Sequence, residues 1–551
     1  MIRNSLKTLT DLSIEQKILA LLSSLIFLHL FIQNFVLSAS FDVVGIREVD
    51  EGGYHPILHR IYDDLLHFRI DRLIKLNDFS YGWIFWITFS VLTLPLYLLT
   101  LLSPKFDFLL IAWARDIDLI FAFGAAFLLY RSLSFYCKNE FIKAVAVLTF
   151  LTLPAFGEFS VKFGTPAMLM FFSSLTFYLT LKYQDNLNQK NIGKIAISAA
   201  ATCGVKLIGF FMMPLIGMIL LDRIHFQINK ITLKLFAAFF LKFTAFLILF
   251  TLPALFLSPF QPKYFYKFYA SLSYFSQNVG SKSGYNFSAL EYFQKGFLSY
   301  YISLSALLAI FILAFLRIFY RSKNRFDFLY AVCCAILMMS YLITQVKLDY
   351  WFIANYFSML AFLLVLPLVT LENFARLGKF LAALFFITNF YLQYPRISAA
   401  FFNQYIRSSS AEITSLLEVQ KKMRLITGDL KNQPEKIYIL SDYRGIFPAS
   451  DIDSNIRITT SFNNLSTLFG FDSERKYYEY IVLNRDSVGF ISRKKFDELT
   501  KNSTAEKAKI YQESRIMEQQ LFKNHIINNT QYDLLLDEGK IIFFKIKAKQ
   551  K

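Results

Sequence analysis

The chain predicts a polytopic α-helical membrane protein with a soluble α/β domain at its C-terminal end, and three observations predict it. Of 551 residues, 55% are hydrophobic and only 18% are charged, against roughly 25% charged in an average soluble domain. Apolar runs of about twenty residues, the length that crosses a hydrocarbon core, recur from Ile18 to about Tyr391. From about Tyr394 to Lys551 the sequence is charged and mixed, with no spanning run. The expected division is a membrane domain at 1–393, with a long outer loop at 39–108, and a soluble domain at 394–551.

The net charge of +18 does not call for nucleic acid, because membrane proteins collect Lys and Arg in their inner loops. Membrane lipids are the expected surroundings. Cys137, Cys203, Cys333 and Cys334 lie in or beside apolar spans without paired spacing. They suit packing rather than a disulfide framework or a metal site.

The basic N-terminus (Arg3, Lys7, Lys17) belongs inside, and the run Ile18–Leu37 has no small-residue cleavage site, so it is an uncleaved first span. Tyr81–Leu102 is long enough to span but carries a central proline, Pro95. If it crossed, the loops with Arg131, Lys138 and Lys143, with Lys182, Lys190 and Lys194, and with Arg223, Lys230 and Lys234 would all lie outside. Placing it at the interface puts every one of them inside. Eleven spans follow, near 18–38, 109–130, 141–157, 165–182, 192–205, 207–221, 235–257, 298–316, 328–345, 353–371 and 379–393. The N-terminus is then inside and the C-terminal domain outside. In that domain, strands are expected at 436–442, 456–462, 478–484 and 541–547, with helices near 411–425 and 491–523.

Chemistry-bearing residues gather on the outer face. REVDEGGYHPILHRIYDD (47–64) opens with Asp50 and Glu51, and Tyr54, Ile57, Leu58, Ile61 and Leu65 repeat at helical spacing. Acids favour a helix N-terminus, which for Glu51 stands as an equal alternative to function; Asp50 at a membrane surface can act as a general base on an alcohol. Lys206 follows AISAAATCGV. A lysine within a membrane domain is costly unless it snorkels, pairs or lines a polar cavity, and there it can neutralise a phosphate. Arg115, Asp116 and Asp118 fall in the outer half of the second span, where mutual pairing is an equal alternative. His55 and His59 are one turn apart, but no HExxH surrounds them, and no metal set is expected.

With these residues in place, the chain resembles the polyprenyl-phosphate-sugar-dependent glycosyltransferases of the GT-C superfamily, in the protein O-mannosyltransferase and aminoarabinose transferase branch. DEGGY (Asp50, Glu51, Tyr54) matches the acidic pair that opens the family's first outer loop. NDFSYGWIFW (77–86) matches its Tyr-Gly-Trp helix without the prolines. Arg115 matches the arginine heading the second span, and ATCGVKLIGFFMMP with Lys206 matches a glycine-marked break before a lysine. LPALFLSPFQPKYF resembles the proline-marked outer loop. Thr165 departs from the pattern, standing where the family carries an acid; Glu158 or Lys162 can substitute in part.

The resemblance implies a sugar donor on a polyprenyl phosphate and a lipid, glycan or protein acceptor. Asp50 with Glu51 would be catalytic, with Tyr54, His55, Asp78, Tyr81, Arg115, Lys162 and Lys206 binding substrate. It further implies transfer with inversion at the outer face of a bacterial inner membrane. A divalent cation is not required by these residues. Two other readings fit the composition: a lipid-linked glycan transporter or flippase, which needs polar residues through the midplane, and an O-antigen ligase-like protein.

Overall fold

The structure, a computed structural model, describes residues 12–39, 51–69, 82–102, 106–223, 230–251, 292–320 and 357–402, together with five strands between 437 and 546. Helix α1 (Ile14–Ala39) starts on a reciprocal cap. The Ser13 hydroxyl accepts from the Gln16 N–H at 3.2 Å, and the Gln16 amide oxygen accepts from the Ser13 N–H at 3.0 Å, which satisfies two of the donors every helix start leaves open. It lies antiparallel to α4 (Asp107–Leu133). Gln16 donates to the Tyr130 hydroxyl at 2.8 Å near one end, and Asn34 donates to Asp116 at 3.1 Å near the other.

Helices α5 (Glu140–Leu151) and α6 (Pro154–Phe159) share one expected span. The chain breaks between them at Thr152–Leu153, because Pro154 cannot donate and begins a new helix instead. Asn139 caps α5, and Asn188 caps α8 (Gln189–Val205) through the Lys190 and Asn191 N–H groups. α7 (Thr165–Tyr183) packs between α4 and α8. After α8, Lys206 is extended, and a 3-10 turn (Leu207–Phe211) leads into α9 (Met212–Arg223). The expected break at Lys206 is therefore present. Gly209 permits it: a Cβ there would come within 2.7 Å of the Thr202 carbonyl as the chain doubles back.

α10 (Lys230–Thr251) packs along α8. Its Lys242 ammonium reaches the Gln189 carbonyl at 2.9 Å, passing over Gly193, where a Cβ would meet Nζ at 2.6 Å. Lys242 thus ties α10 to the first turn of α8.

The remaining helices shift from expectation for identifiable reasons. α11 (Leu304–Tyr320) begins six residues after the expected 298, because Asn389 accepts from both the Ser303 N–H and hydroxyl at 3.1 Å and fixes its start. The span expected at 353–371 holds a buried 3-10 segment, Ser358–Leu364, and most of a second, Leu366–Phe374, whose second residue, Pro367, has no N–H to donate. α12 (Ala375–Phe401) runs through Pro395, past the expected 393. Gln393 and Arg396 both donate to the Leu298 carbonyl at 2.8 Å and hold the extension.

Two helices belong to the first loop. α2 (Glu51–Leu66) packs on α3 (Trp83–Leu102), and Tyr62 stacks on Tyr97 with ring centroids 4.0 Å apart. The Tyr62 hydroxyl donates to the Ser90 carbonyl at 2.9 Å and also contacts the Thr93 hydroxyl. Burial pushes the Tyr62 phenol up from 10.0 to about 12. The folded state thus holds its proton more tightly than the unfolded chain. The docking contribution is complete below pH 10 and is lost as pH rises through about 12. Thermal melts between pH 9 and 12 are expected to show this loss in wild type. In Tyr62→Phe the loss should disappear, at a uniform cost of about 1 kcal/mol for the missing hydrogen bond.

α3 is a continuous 20-residue helix, long and apolar enough to cross a membrane by length and composition. In the C-terminal part, β1 (Ile437–Ser441), β2 (Ile456–Thr459), β3 (Tyr480–Asn484), β4 (Tyr532–Glu538) and β5 (Ile541–Ile546) form one sheet of order β2-β1-β3-β5-β4. β1 pairs parallel with β2 and β3, while β5 runs antiparallel to β3 and β4. Four of these strands match expectation; β4, YDLLLDE, is an addition. The span expected at 328–345 and the helices expected at 411–425 and 491–523 lie outside the described residues.

Candidate active site

The end of the bundle formed by Ala39, Asp107, Thr165 and Val205 gathers the polar residues. On α4, Arg115 and Asp118 are one turn apart and share a face, while Asp116 points elsewhere, to Asn34 on α1. All three are buried, with Arg115 at 1% exposure. Asp118 accepts the Gly164 N–H at 2.8 Å, one residue before α7 begins. Each of the two acids thus also contacts another element of the bundle. Arg115 lies on the face that meets the loop before α7.

That loop is pinned from several sides. The Ala155 N–H donates to the Tyr300 carbonyl at 2.7 Å, and the Phe159 and Tyr300 rings stack at 6.2 Å. Phe163 lies under Phe85 at 5.9 Å and Phe89 at 4.8 Å on α3. From Leu153 to Met170 every residue is buried except Glu158, whose side chain is 25% exposed. The Lys162 ammonium is ion-paired with Glu158 one turn away. The loop therefore presents one accessible carboxylate with a buried ammonium behind it. Thr165, the residue that departs from the family pattern, is buried at the first turn of α7, and the carboxylate at the head of that helix comes from Asp118 on α4.

Lys206 sits where α8 stops, 8% exposed, with extended backbone at φ −156 and ψ 134. The Gly82 N–H donates to the Val205 carbonyl at 3.3 Å, so the start of α3 lies directly on this break. A Cβ on Gly82 would fall 1.5 Å from the Gly204 carbonyl oxygen. Only glycine allows the two backbones so close. Both Gly82 and Phe163 were missed as site residues, although the Tyr-Gly-Trp sequence carried the signal for the first.

Of the other expected site residues, Glu51, Tyr54 and His55 fall on α2, and Asp50, Asp78 and Tyr81 lie outside the described residues. His59 packs edge-on against the Tyr97 ring at 5.5 Å. Among the described residues no group of three or more His, Cys, Asp or Glu side chains could hold a metal ion.

No family model and no curated protein matches the chain. Solved structures do. ArnT from Cupriavidus metallidurans in the apo state superposes with a TM-score of 0.54 at 12% identity, over 95% of this chain and 97% of that one. The same protein bound to undecaprenyl phosphate gives 0.53 at 12% identity, over 96% and 98%. Against the Archaeoglobus fulgidus oligosaccharyltransferase, also 12% identical, the scores are 0.48 for the apo form and 0.44 for the complex with Zn and sulfate. This chain spans 71% and 61% of those two structures. Along nearly its whole length, then, the chain shares the fold of ArnT.

Proposed function

We propose that the chain is an integral membrane glycosyltransferase that moves a sugar from a polyprenyl phosphate to an acceptor hydroxyl. The observation that carries this reading is the meeting of first-loop helix α3 with the Lys206 break, at the end of the bundle that also holds Arg115 and the Glu158–Lys162 pair. Lysine and arginine there suit a departing phosphate. The fold is shared with ArnT, one structure of which is bound to undecaprenyl phosphate.

In the proposed reaction the acceptor oxygen attacks the anomeric carbon as the bond from that carbon to the phosphate oxygen breaks. The phosphate leaves with the electron pair, the configuration inverts, and Asp50 takes the hydroxyl proton. Lys206, with Arg115, stabilises the charge growing on the leaving group. Glu51, Tyr54, His55, Asp78, Tyr81 and Lys162 complete the pocket, and the acceptor is a lipid, glycan or protein hydroxyl.

This end of the bundle faces outward, as in the eleven-span arrangement with the N-terminus inside, in a bacterial inner membrane. α3 supports that arrangement. Its first turn lies on the Val205 end of the bundle, and its last residue precedes Asp107, at the same end, by only four residues. A helix that begins and finishes at one end lies along a face.

The test is release of polyprenyl phosphate from a panel of polyprenyl-phosphate sugars in membranes carrying wild type or Asp50→Asn. Wild type is expected to turn over at least one donor. Asp50→Asn should be slower by about 10²-fold or more, the scale of a lost general base. Equal rates would remove Asp50 from the mechanism, and no turnover of any donor by wild type would remove the transferase reading.

A further inference from the structure

We propose that the turn closing α2 is a lipid anchor, in which Phe68, Leu65 and Leu66 enter the bilayer interface and set the depth of the helix. The outer-leaflet location rests on the orientation proposed above; the insertion itself does not.

The backbone gives the first argument. α2 ends with the Phe68 N–H on the Leu65 carbonyl at 3.1 Å and the Arg69 N–H on the Asp64 carbonyl at 2.7 Å. Phe68 takes the left-handed conformation, φ 54, a position where glycine is the usual residue. For a residue with a Cβ this conformation is strained. Packing among the described residues does not offset it, since Phe68 is 86% exposed, beside Leu66 at 51% and Leu65 at 45%. A strained turn that displays an aromatic ring is explained if the ring is buried in something outside the chain.

Charge and continuity identify that surrounding. Below the apolar tip, Arg69 lies 3.3 Å from Asp63 and 3.8 Å from Asp64, Arg60 lies 3.9 Å from Asp64, and His67 lies 3.0 Å from Asp63. Two arginines face two aspartates, so the collar is close to neutral and selects neither an acidic nor a basic partner. α3, the helix on which α2 packs, exposes Ile87, Val91, Leu94, Leu98 and Leu101 at alternating spacings of four and three. Such spacing makes one apolar stripe. An apolar tip above a zwitterionic collar, next to a lipid-type helix face, suits a zwitterionic phospholipid interface.

The experiment uses the full chain in liposomes of phosphatidylcholine alone. The difference in tryptophan emission between Phe68→Trp and wild type is read with chain-brominated lipid and, separately, with acrylamide. Blue-shifted emission quenched by bromine close to the headgroup, unchanged by salt, is the expected result. Water-like emission quenched only by acrylamide would overturn the anchor, whatever the donor assays give. Should Phe68→Trp not fold, Leu66→Trp is the reporter and carries the same two outcomes. Phe68→Gly relieves the strain and is expected to melt no lower than wild type in detergent; a lower melting temperature would mean that the ring packs within the fold, and would also overturn the proposal.

Discussion

Lys206→Ala is expected to slow polyprenyl-phosphate release by about 10²–10³-fold, the range found when a preorganised group facing developing charge is removed. Three features concentrate the effect on this side chain. The residue ends α8, so its ammonium also complements the carbonyl end of that helix. It is only 8% exposed, so its field is weakly screened. Its backbone is extended and followed by a new helical turn, and the Gly209 N–H closes back onto the Lys206 carbonyl at 2.9 Å. Lys206→Arg keeps the charge but changes its geometry, and is expected to fall between wild type and alanine. Both variants should be assayed for kcat and KM in proteoliposomes alongside a measure of folded yield. A lysine that served only packing would lower the yield and leave kcat per folded molecule unchanged.

Gly82→Ala is expected to be the most damaging small substitution in the described residues around the site. The new Cβ would lie 1.5 Å from the Gly204 carbonyl oxygen and 2.6 Å from its carbon, and neither atom belongs to a flexible side chain. α3 would have to move off α8, breaking the 3.3 Å bond between Gly82 and Val205. We expect a loss of about 3 kcal/mol, the upper part of the usual overpacking range, with a fall in turnover because Lys206 is the next residue. Gly217→Ala, where an added Cβ meets nothing within 4 Å, should leave both stability and turnover unchanged. Thermal unfolding in detergent and donor turnover on the three proteins decide the matter. If Gly82→Ala melts with wild type, the close approach of α3 to α8 is incorrect.

These two residues mark how far the sequence could be read. Lys206 was legible because a charge in an apolar setting needs an explanation, and the small residues before it signalled a break. Gly82 was marked by the Tyr-Gly-Trp sequence, but its partner was not legible, since Gly204 is 122 positions away and no local pattern encodes which backbone a glycine will meet. The same limit applies to Asp118. Its position in α4 was plain, but its contact with Gly164 depends on how two helices pack. Spans were located by hydropathy, while their ends were set by side chains from elsewhere, as Asn389 does for α11 and Gln393 for α12. In the C-terminal sheet the alternating runs identified four strands. YDLLLDE, with three leucines between acids, lacks the β-branched and aromatic density that marks a strand, and it pairs because β5 follows it after two residues.

The extension of α12 through Pro395 brings the end of the helix bundle's last element against the loop that carries Glu158 and Lys162. Its last residue, Phe401, places its ring against Gly157, where an added Cβ would come within 2.4 Å of it, and its carbonyl meets His29 on α1 at 2.9 Å. Glu158 follows Gly157, and Lys162 is bound to Glu158. The residues leading to the β-sheet therefore depart from a point one side chain away from the carboxylate and ammonium of the loop. Loss of the Phe401 ring and loss of the Glu158–Lys162 pair are therefore expected not to add as independent events.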